Sequence, residues 1–271
     1  MRREKMETRT GWMSLNGVDC YYEVHGKGEP IIFLHHGFGC TRMWKDIFPP
    51  LVEKGYQVIL YDRRGFGRSS KEGFPDFYVS DSYRYDSVEE LHQLAEGLEL
   101  ETFHLVGQCE GGVVGVDFAA AYPERVKTLM TSSTQCFSET TMEEFNASKF
   151  PRTFGELEAD LREKMVKWHG EDYAATFYHQ FCRYGGAYGR EFFDLRPTLD
   201  RVTCPSLVLY PDRSFLFPVE QGVAFYRHLT RGELAVLPKC GHNTYEKQPE
   251  AYARHLIEFL ARHGDNIRDD G

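Results

Sequence analysis

Residues 105–112 read LVGQCEGG, a cysteine with glycines two places before it and two and three places after it. A thiol that loses its proton is a strong nucleophile, and a nucleophile on a sharp strand-to-helix turn leaves no room for neighbouring side chains. In FHLVGQCEGGVVG the strand is read as ending at Gly107 and the helix as opening at Glu110. That puts Cys109 on the turn, with Gly107 and Gly111 keeping space clear around it. The partial positive charge of a helix N-terminus favours thiolate, while the carboxylate of Glu110 partly opposes it.

Such a turn needs a sheet behind it. Runs rich in β-branched and aromatic residues occur at 18–26, 30–37, 56–62, 102–107, 125–133, 205–211 and 233–238. Helical patterns at 41–54, 86–98, 110–121, 219–229 and 249–262 fall between and after them, with an Asp/Gly-rich frayed end beyond. Strands alternating with helices predict an α/β fold with a mostly parallel sheet flanked by helices. Residues 135–199 break the rhythm: they hold no good strand, but Leu157, Leu161, Met165 and Trp168 have helical spacing, as do Tyr173, Phe177, Phe181 and Tyr184. The reading is a core of 1–134 and 200–271 with a helical cap inserted at 135–199. The glycines of YGGAYGR (184–190) favour a bend or mobile segment there. The cap aromatics, Tyr188 among them, suit either simple helix packing or an apolar acyl pocket.

Composition narrows the function. A net charge of −9, with Lys and Arg scattered among carboxylates, argues against nucleic-acid binding. The charged N-terminus has no apolar leader, and the longest apolar runs are strand-sized, so no membrane span is expected. Seven cysteines, an odd number without a C-x-x-C pair, fit a reducing cytoplasm and suggest neither structural zinc nor redox chemistry. GFGRSS (65–70) lacks the G-K-[ST] ending of a phosphate loop, and no clustered Asp/His spacing points to a metal, so no cofactor is expected.

Four blocks together resemble the α/β-hydrolase superfamily, and the resemblance extends over nearly all of the chain apart from the variable insertion. They are LHHGFG (34–39), YDRRGFGRSS (61–70), LVGQCEGG and LPKCGHNTYEKQPE (237–250). It implies an oxyanion hole formed by the backbone amides of Phe38 and Glu110, a nucleophile at Cys109 and a base at His242. His35 and His36 then serve as loop scaffolding or pocket lining. Family members commonly place the acid of the triad in G-x-x-D-x-x-x-P. In PDRSFLFP (211–218) both counts, from Pro211 and from Pro218, land on Ser214 and miss Asp212. Either a reshaped loop brings Asp212 to His242, or the third member is a hydroxyl or absent.

A thiol needs less help than a serine hydroxyl, so cysteine at 109 and serine at 214 read as a matched pair of changes, able to rest as thiolate and imidazolium. The implied activity is hydrolysis of small esters, lactones or thioesters through a Cys109 acyl-enzyme; dienelactone hydrolases are a similar group with a cysteine elbow. Two alternatives stay open. One is acyl transfer or thioester cyclisation by the same pair, and the other is a non-catalytic ligand-binding homologue. The oligomeric state is left undetermined.

Overall fold

The computed structural model describes residues 7–263; the Asp/Gly-rich end expected to fray lies outside them. Eight strands form one sheet: β1 (Thr8–Leu15), β2 (Val18–His25), β3 (Glu29–Leu34), β4 (Tyr56–Tyr61), β5 (Phe103–Gln108), β6 (Val126–Ser132), β7 (Ser206–Pro211) and β8 (Gly232–Leu237). Their spatial order is β1-β2-β4-β3-β5-β6-β7-β8. β2 runs antiparallel to both β1 and β4, and every pairing from β4 to β8 is parallel.

The helices are α1 (Phe48–Glu53), α2 (Phe74–Tyr78), α3 (Tyr83–Gly97), α4 (Glu110–Ala121), α5 (Met142–Lys149), α6 (Ala159–His169), α7 (Glu171–Phe181), α8 (Arg196–Leu199), α9 (Val219–Arg227), α10 (Thr244–Lys247) and α11 (Pro249–His263). Four of them, α5 to α8, lie between β6 and β7, within the segment read as an insertion. The seven strands and five main helices expected from the sequence recur with shifts of a few residues. The helix expected at 41–54 divides into a 3₁₀ turn (Thr41–Trp44) and α1.

One strand was not anticipated. β1 is largely exposed and reads TRTGWMSL, without an apolar alternation to betray it, and it forms by pairing along its whole length with β2.

The central strands are apolar on both faces, as a covered parallel sheet demands. On β3, Ile32 and Leu34 enter one core with α3 and α4, while Ile31 and Phe33 enter a second with α1 and α11. This period-two split holds the sheet between two helical layers. The carboxyl ends of β3, β5, β6, β7 and β8 all open on the same edge, where ligands bind in open α/β sheets.

The elbow is packed to contact at its glycines. A Cβ on Gly107 would sit 2.5 Å from the carbonyl oxygen of Gly111, and one on Gly111 would sit 2.2 Å from that of Leu34. Backbone cannot yield there as a side chain can. Gly111→Ala is therefore expected to cost at least about 3 kcal/mol or to abolish folding. Gly155→Ala, whose methyl meets nothing within 4 Å, is expected to change stability little; denaturant unfolding of both variants checks this.

Candidate active site

Cys109 stands between β5 and α4 with φ 51° and ψ −116°, a conformation costly for any residue with a Cβ. Surrounding bonds hold it there. Its amide donates to Ser132 O at 2.8 Å, and its carbonyl accepts from Gly112 N at 2.9 Å and from Thr134 Oγ1 at 3.2 Å. The residue is buried, 8% exposed. The hydroxyl partner of its sulfur is Tyr188, whose OH lies 3.6 Å away, and the Glu110 amide also hydrogen-bonds to the sulfur.

The loop after β4 braces the elbow from beneath. Arg63 Nη1 donates to Glu110 Oε1 at 2.9 Å, and Tyr83 OH donates to the same oxygen at 2.8 Å. Both charged side chains are almost fully buried, 2% and 3% exposed. Arg63 also donates from Nη2 to His35 O, and its amide donates to His35 Nε2, both at 3.1 Å. Asp62, in the same loop, accepts the amides of Thr41 at 2.6 Å and Arg68 at 2.8 Å.

The loop after β3 departs from expectation in one respect. The Phe38 amide, read as an oxyanion donor, donates to His36 Nδ1 at 3.1 Å. That acceptor role puts the imidazole hydrogen of His36 on Nε2, from which it is donated to Tyr245 OH at 2.9 Å. Of the two expected amides, Glu110 faces the sulfur and Phe38 is engaged within its own loop. His35 donates from Nδ1 to His36 O at 2.9 Å, a scaffolding bond. His169, at the end of α6, clamps the same loop: it donates to Phe38 O at 2.9 Å and accepts the Gly67 amide at 3.1 Å.

His242 follows β8 and is held over the elbow by its backbone. Its carbonyl accepts Gln108 Nε2 at 3.0 Å and Ser133 Oγ at 2.7 Å. Thr244 donates to Gln108 Oε1 at 3.1 Å and lies 2.7 Å from Ser132 Oγ. The end of β6 offers hydroxyls in place of a carboxylate, and they fasten the histidine loop to the sheet. Ser214 Oγ lies 3.1 Å from His242 Nδ1 and accepts the amides of Leu216 and Phe217. Asp212 instead accepts the Cys240 amide at 2.9 Å and is not bonded to the imidazole.

Cys109 and His242 line one cavity without a hydrogen bond between them. The cavity is small, about 110 Å³, and partly open to solvent. Phe38, Phe145, Phe150, Phe181, Phe217 and Trp168 make its wall mostly apolar. Lys164 is its cationic side chain, and its Nζ is 2.7 Å from both carboxylate oxygens of Glu246. Among the described residues no group of three or more His, Cys, Asp or Glu side chains could hold a metal ion, and no helix is long and apolar enough to cross a membrane.

Burial sets the protonation states. It pushes the Cys109 thiol up to about 12, against the opposing Tyr188 hydrogen bond, and pulls the His242 imidazole down to about 3. The resting pair is thus neutral, unlike the thiolate–imidazolium pair the sequence allowed, because no carboxylate stands behind His242. Burial also drives His35 and His36 well below the usual histidine range and His169 down to about 4.

Two of these side chains escaped the sequence reading. Tyr188 was one aromatic among thirteen in residues 135–199, and His169 carried no motif; each is recruited by tertiary packing alone.

The alpha/beta hydrolase fold family matches residues 29–180, more than half of the chain, and the protein belongs to that family. A proline iminopeptidase from Clostridioides difficile (strain 630) is 34% identical over 134 residues, 48% of this chain and 44% of that one. The chain thus matches less than half the length of that relative. A 2-hydroxy-6-oxononadienedioate/2-hydroxy-6-oxononatrienedioate hydrolase from Paraburkholderia xenovorans (strain LB400) is 25% identical across 90% of this chain and 91% of that one. The solved meta-cleavage product hydrolase from Pseudomonas fluorescens IP01 has a TM-score of 0.76 at 20% identity, covering 93% of this chain and 97% of that one. That likeness is one of fold.

Two outcomes follow from the charges. Arg63→Met strands the Glu110 carboxylate in the interior and is expected to cost about 3–5 kcal/mol in denaturant unfolding. His35, His36, His169 and His242 bind protons in the unfolded chain below about pH 6.5 but resist them when folded. Stability is therefore present above that pH and falls as pH drops through it, by up to about 1.4 kcal/mol per histidine per unit. Unfolding midpoints at pH 8, 6.5 and 5.5, to be compared as approximate set points, check the sign.

Proposed function

We propose that this protein is a hydrolase of small, largely apolar esters, lactones or thioesters, working through a Cys109 acyl-enzyme with His242 as base. The observation that carries the reading is a cysteine held in a strained elbow at a helix N-terminus, facing the same apolar cavity as a histidine whose Nδ1 meets Ser214. Relatives named as hydrolases, one of them aligned over nine-tenths of both chains, support water as the acyl acceptor.

In the proposed reaction the sulfur attacks the carbonyl carbon as its proton passes to His242 Nε2, with Ser214 orienting the ring from Nδ1. The carbonyl oxygen takes the negative charge and is met by the Glu110 amide, with the Phe38 amide sharing its hydrogen away from His36. The tetrahedral intermediate collapses, and the leaving group departs with the proton from His242. Water then attacks the thioester as His242 accepts its proton, and the sulfur leaves and is reprotonated. A hydroxyl in place of the usual acid lends the imidazolium little support, which favours substrates with good leaving groups. The helical segment 135–199 serves as the cap that closes the apolar cavity over the acyl group.

Charge bears on the substrate. With Lys164 paired to Glu246, no unpaired Lys or Arg faces the cavity from its lining residues. A neutral acyl chain suits it better than a dicarboxylate.

Mixing the protein with p-nitrophenyl butyrate and following intact mass tests the reading. A butyryl adduct that forms on Cys109, is absent in Cys109→Ala and decays to butyrate is the expected course. Absence of both adduct and turnover with a range of activated esters overturns it and favours ligand binding; transfer of the acyl group to an added alcohol or thiol favours acyl transfer.

The protonation states predict a pH profile. With the thiol near 12 and the imidazole near 3, the acylation rate is expected to be flat from about pH 5 to 9. Ser214→Asp places a carboxylate against the imidazole and raises its pKa. An acidic limb, where protonated His242 no longer accepts the thiol proton, then moves up into the measured range.

A further inference from the structure

From the geometry around Cys109, we infer that Tyr188 is a catalytic residue, its hydroxyl donating a hydrogen bond to the Cys109 sulfur and stabilising the negative charge that develops there. This deepens the hydrolase reading, since it gives that nucleophile a second donor supplied by the segment between β6 and β7.

The direction of the bond follows from the neighbours of the phenol. Its oxygen lies 3.6 Å from Sγ and accepts the Gln135 amide at 3.3 Å. With the amide on a lone pair, the hydroxyl hydrogen is free to turn to the sulfur, which becomes the stronger acceptor as it loses its own proton. Deep burial keeps the phenol protonated, raising it well above the usual tyrosine range.

The ring is fixed. It packs edge-on against Phe193 at 4.8 Å between centroids and lies 5.9 Å from Phe217. The chain leading to it is pressed onto the end of α2, where a Cβ on Gly185 would sit 2.1 Å from Tyr78 O. The YGGAYGR stretch thus forms a pinned 3₁₀ turn (Gly186–Tyr188) that delivers one hydroxyl to the elbow.

The chemistry needs that donor. The groups hydrogen-bonded to the sulfur are the Glu110 amide and Tyr188, and in the proposed reaction the Glu110 amide must also serve the carbonyl oxygen. The other polar groups around it act oppositely or at longer range: the Glu110 carboxylate disfavours thiolate and Arg63 favours it. Tyr210 and Tyr245 also lie within electrostatic reach of the sulfur, and His242 faces the same cavity. A hydrogen bond from a fixed hydroxyl to an anion costs no reorganisation at the moment of attack. When the thiolate is expelled in deacylation, the same bond receives it.

Tyr188→Phe removes the hydroxyl and keeps the ring in its place between Phe193 and Phe217. The measurement is alkylation of Cys109 by iodoacetamide against pH, located by peptide mass, in the native protein and the variant. The expected result is alkylation slower by about 10-fold or more in the variant at each pH from about 7 to 9. Alkylation of the other cysteines, followed in the same samples, is expected to be unchanged, which a loosened fold would not leave so. An equal or faster rate at Cys109, or a Cys109 that is inert in the native protein, overturns the inference. Alkylation needs no acyl substrate, so the outcome is separate from whether any ester is hydrolysed.

Discussion

A carboxylate immediately after the elbow cysteine, and buried with it, is tenable only if a positive charge is buried alongside. Arg63 meets that constraint. It reaches from the loop after β4 to Glu110 at the first position of α4, and on the way it ties down the backbone of His35. One guanidinium therefore fixes the relative positions of three segments that come from distant parts of the chain. Coulomb energy alone does not justify such a pair against its desolvation cost. Its role here is registration: with the pair formed, the Glu110 amide can face the sulfur while its side chain is turned away and neutralised.

The same economy of charge extends to the histidine loop. Gln108, Ser133 and Thr244 build a net of neutral hydrogen bonds around the His242 backbone, and Ser214 meets its ring. No carboxylate joins in, so burial dominates and the imidazole stays neutral. In the proposed reaction a serine would be poorly served by such a base, because its proton must leave as it attacks; a thiol, even one raised by burial, asks less of the imidazole.

Legibility from sequence followed the range of the interactions. The apolar strands announced themselves because both faces are covered, and the elbow because steric demand at Gly107 and Gly111 permits no other residue. Ser214 was reached by spacing from Pro211 and Pro218, and the bonds that hold its hydroxyl, from the amides of Leu216 and Phe217, are local to that loop. β1 was illegible because an exposed edge strand needs no apolar pattern. Tyr188 and His169 were illegible for a different reason: their partners, Cys109 and Phe38, lie 79 and 131 residues away in sequence, and no periodicity encodes such a meeting. The engagement of the Phe38 amide depends on a rotamer of His36, which residue types alone do not specify.

His169 carries one more implication. It belongs to α6, yet it grips Phe38 O with one ring nitrogen and Gly67 N with the other. The helix cannot swing outward while those bonds last without hauling on the backbone that frames the elbow. Any displacement of α6 is thus transmitted to the loops after β3 and β4, which one imidazole joins to it like a tie rod.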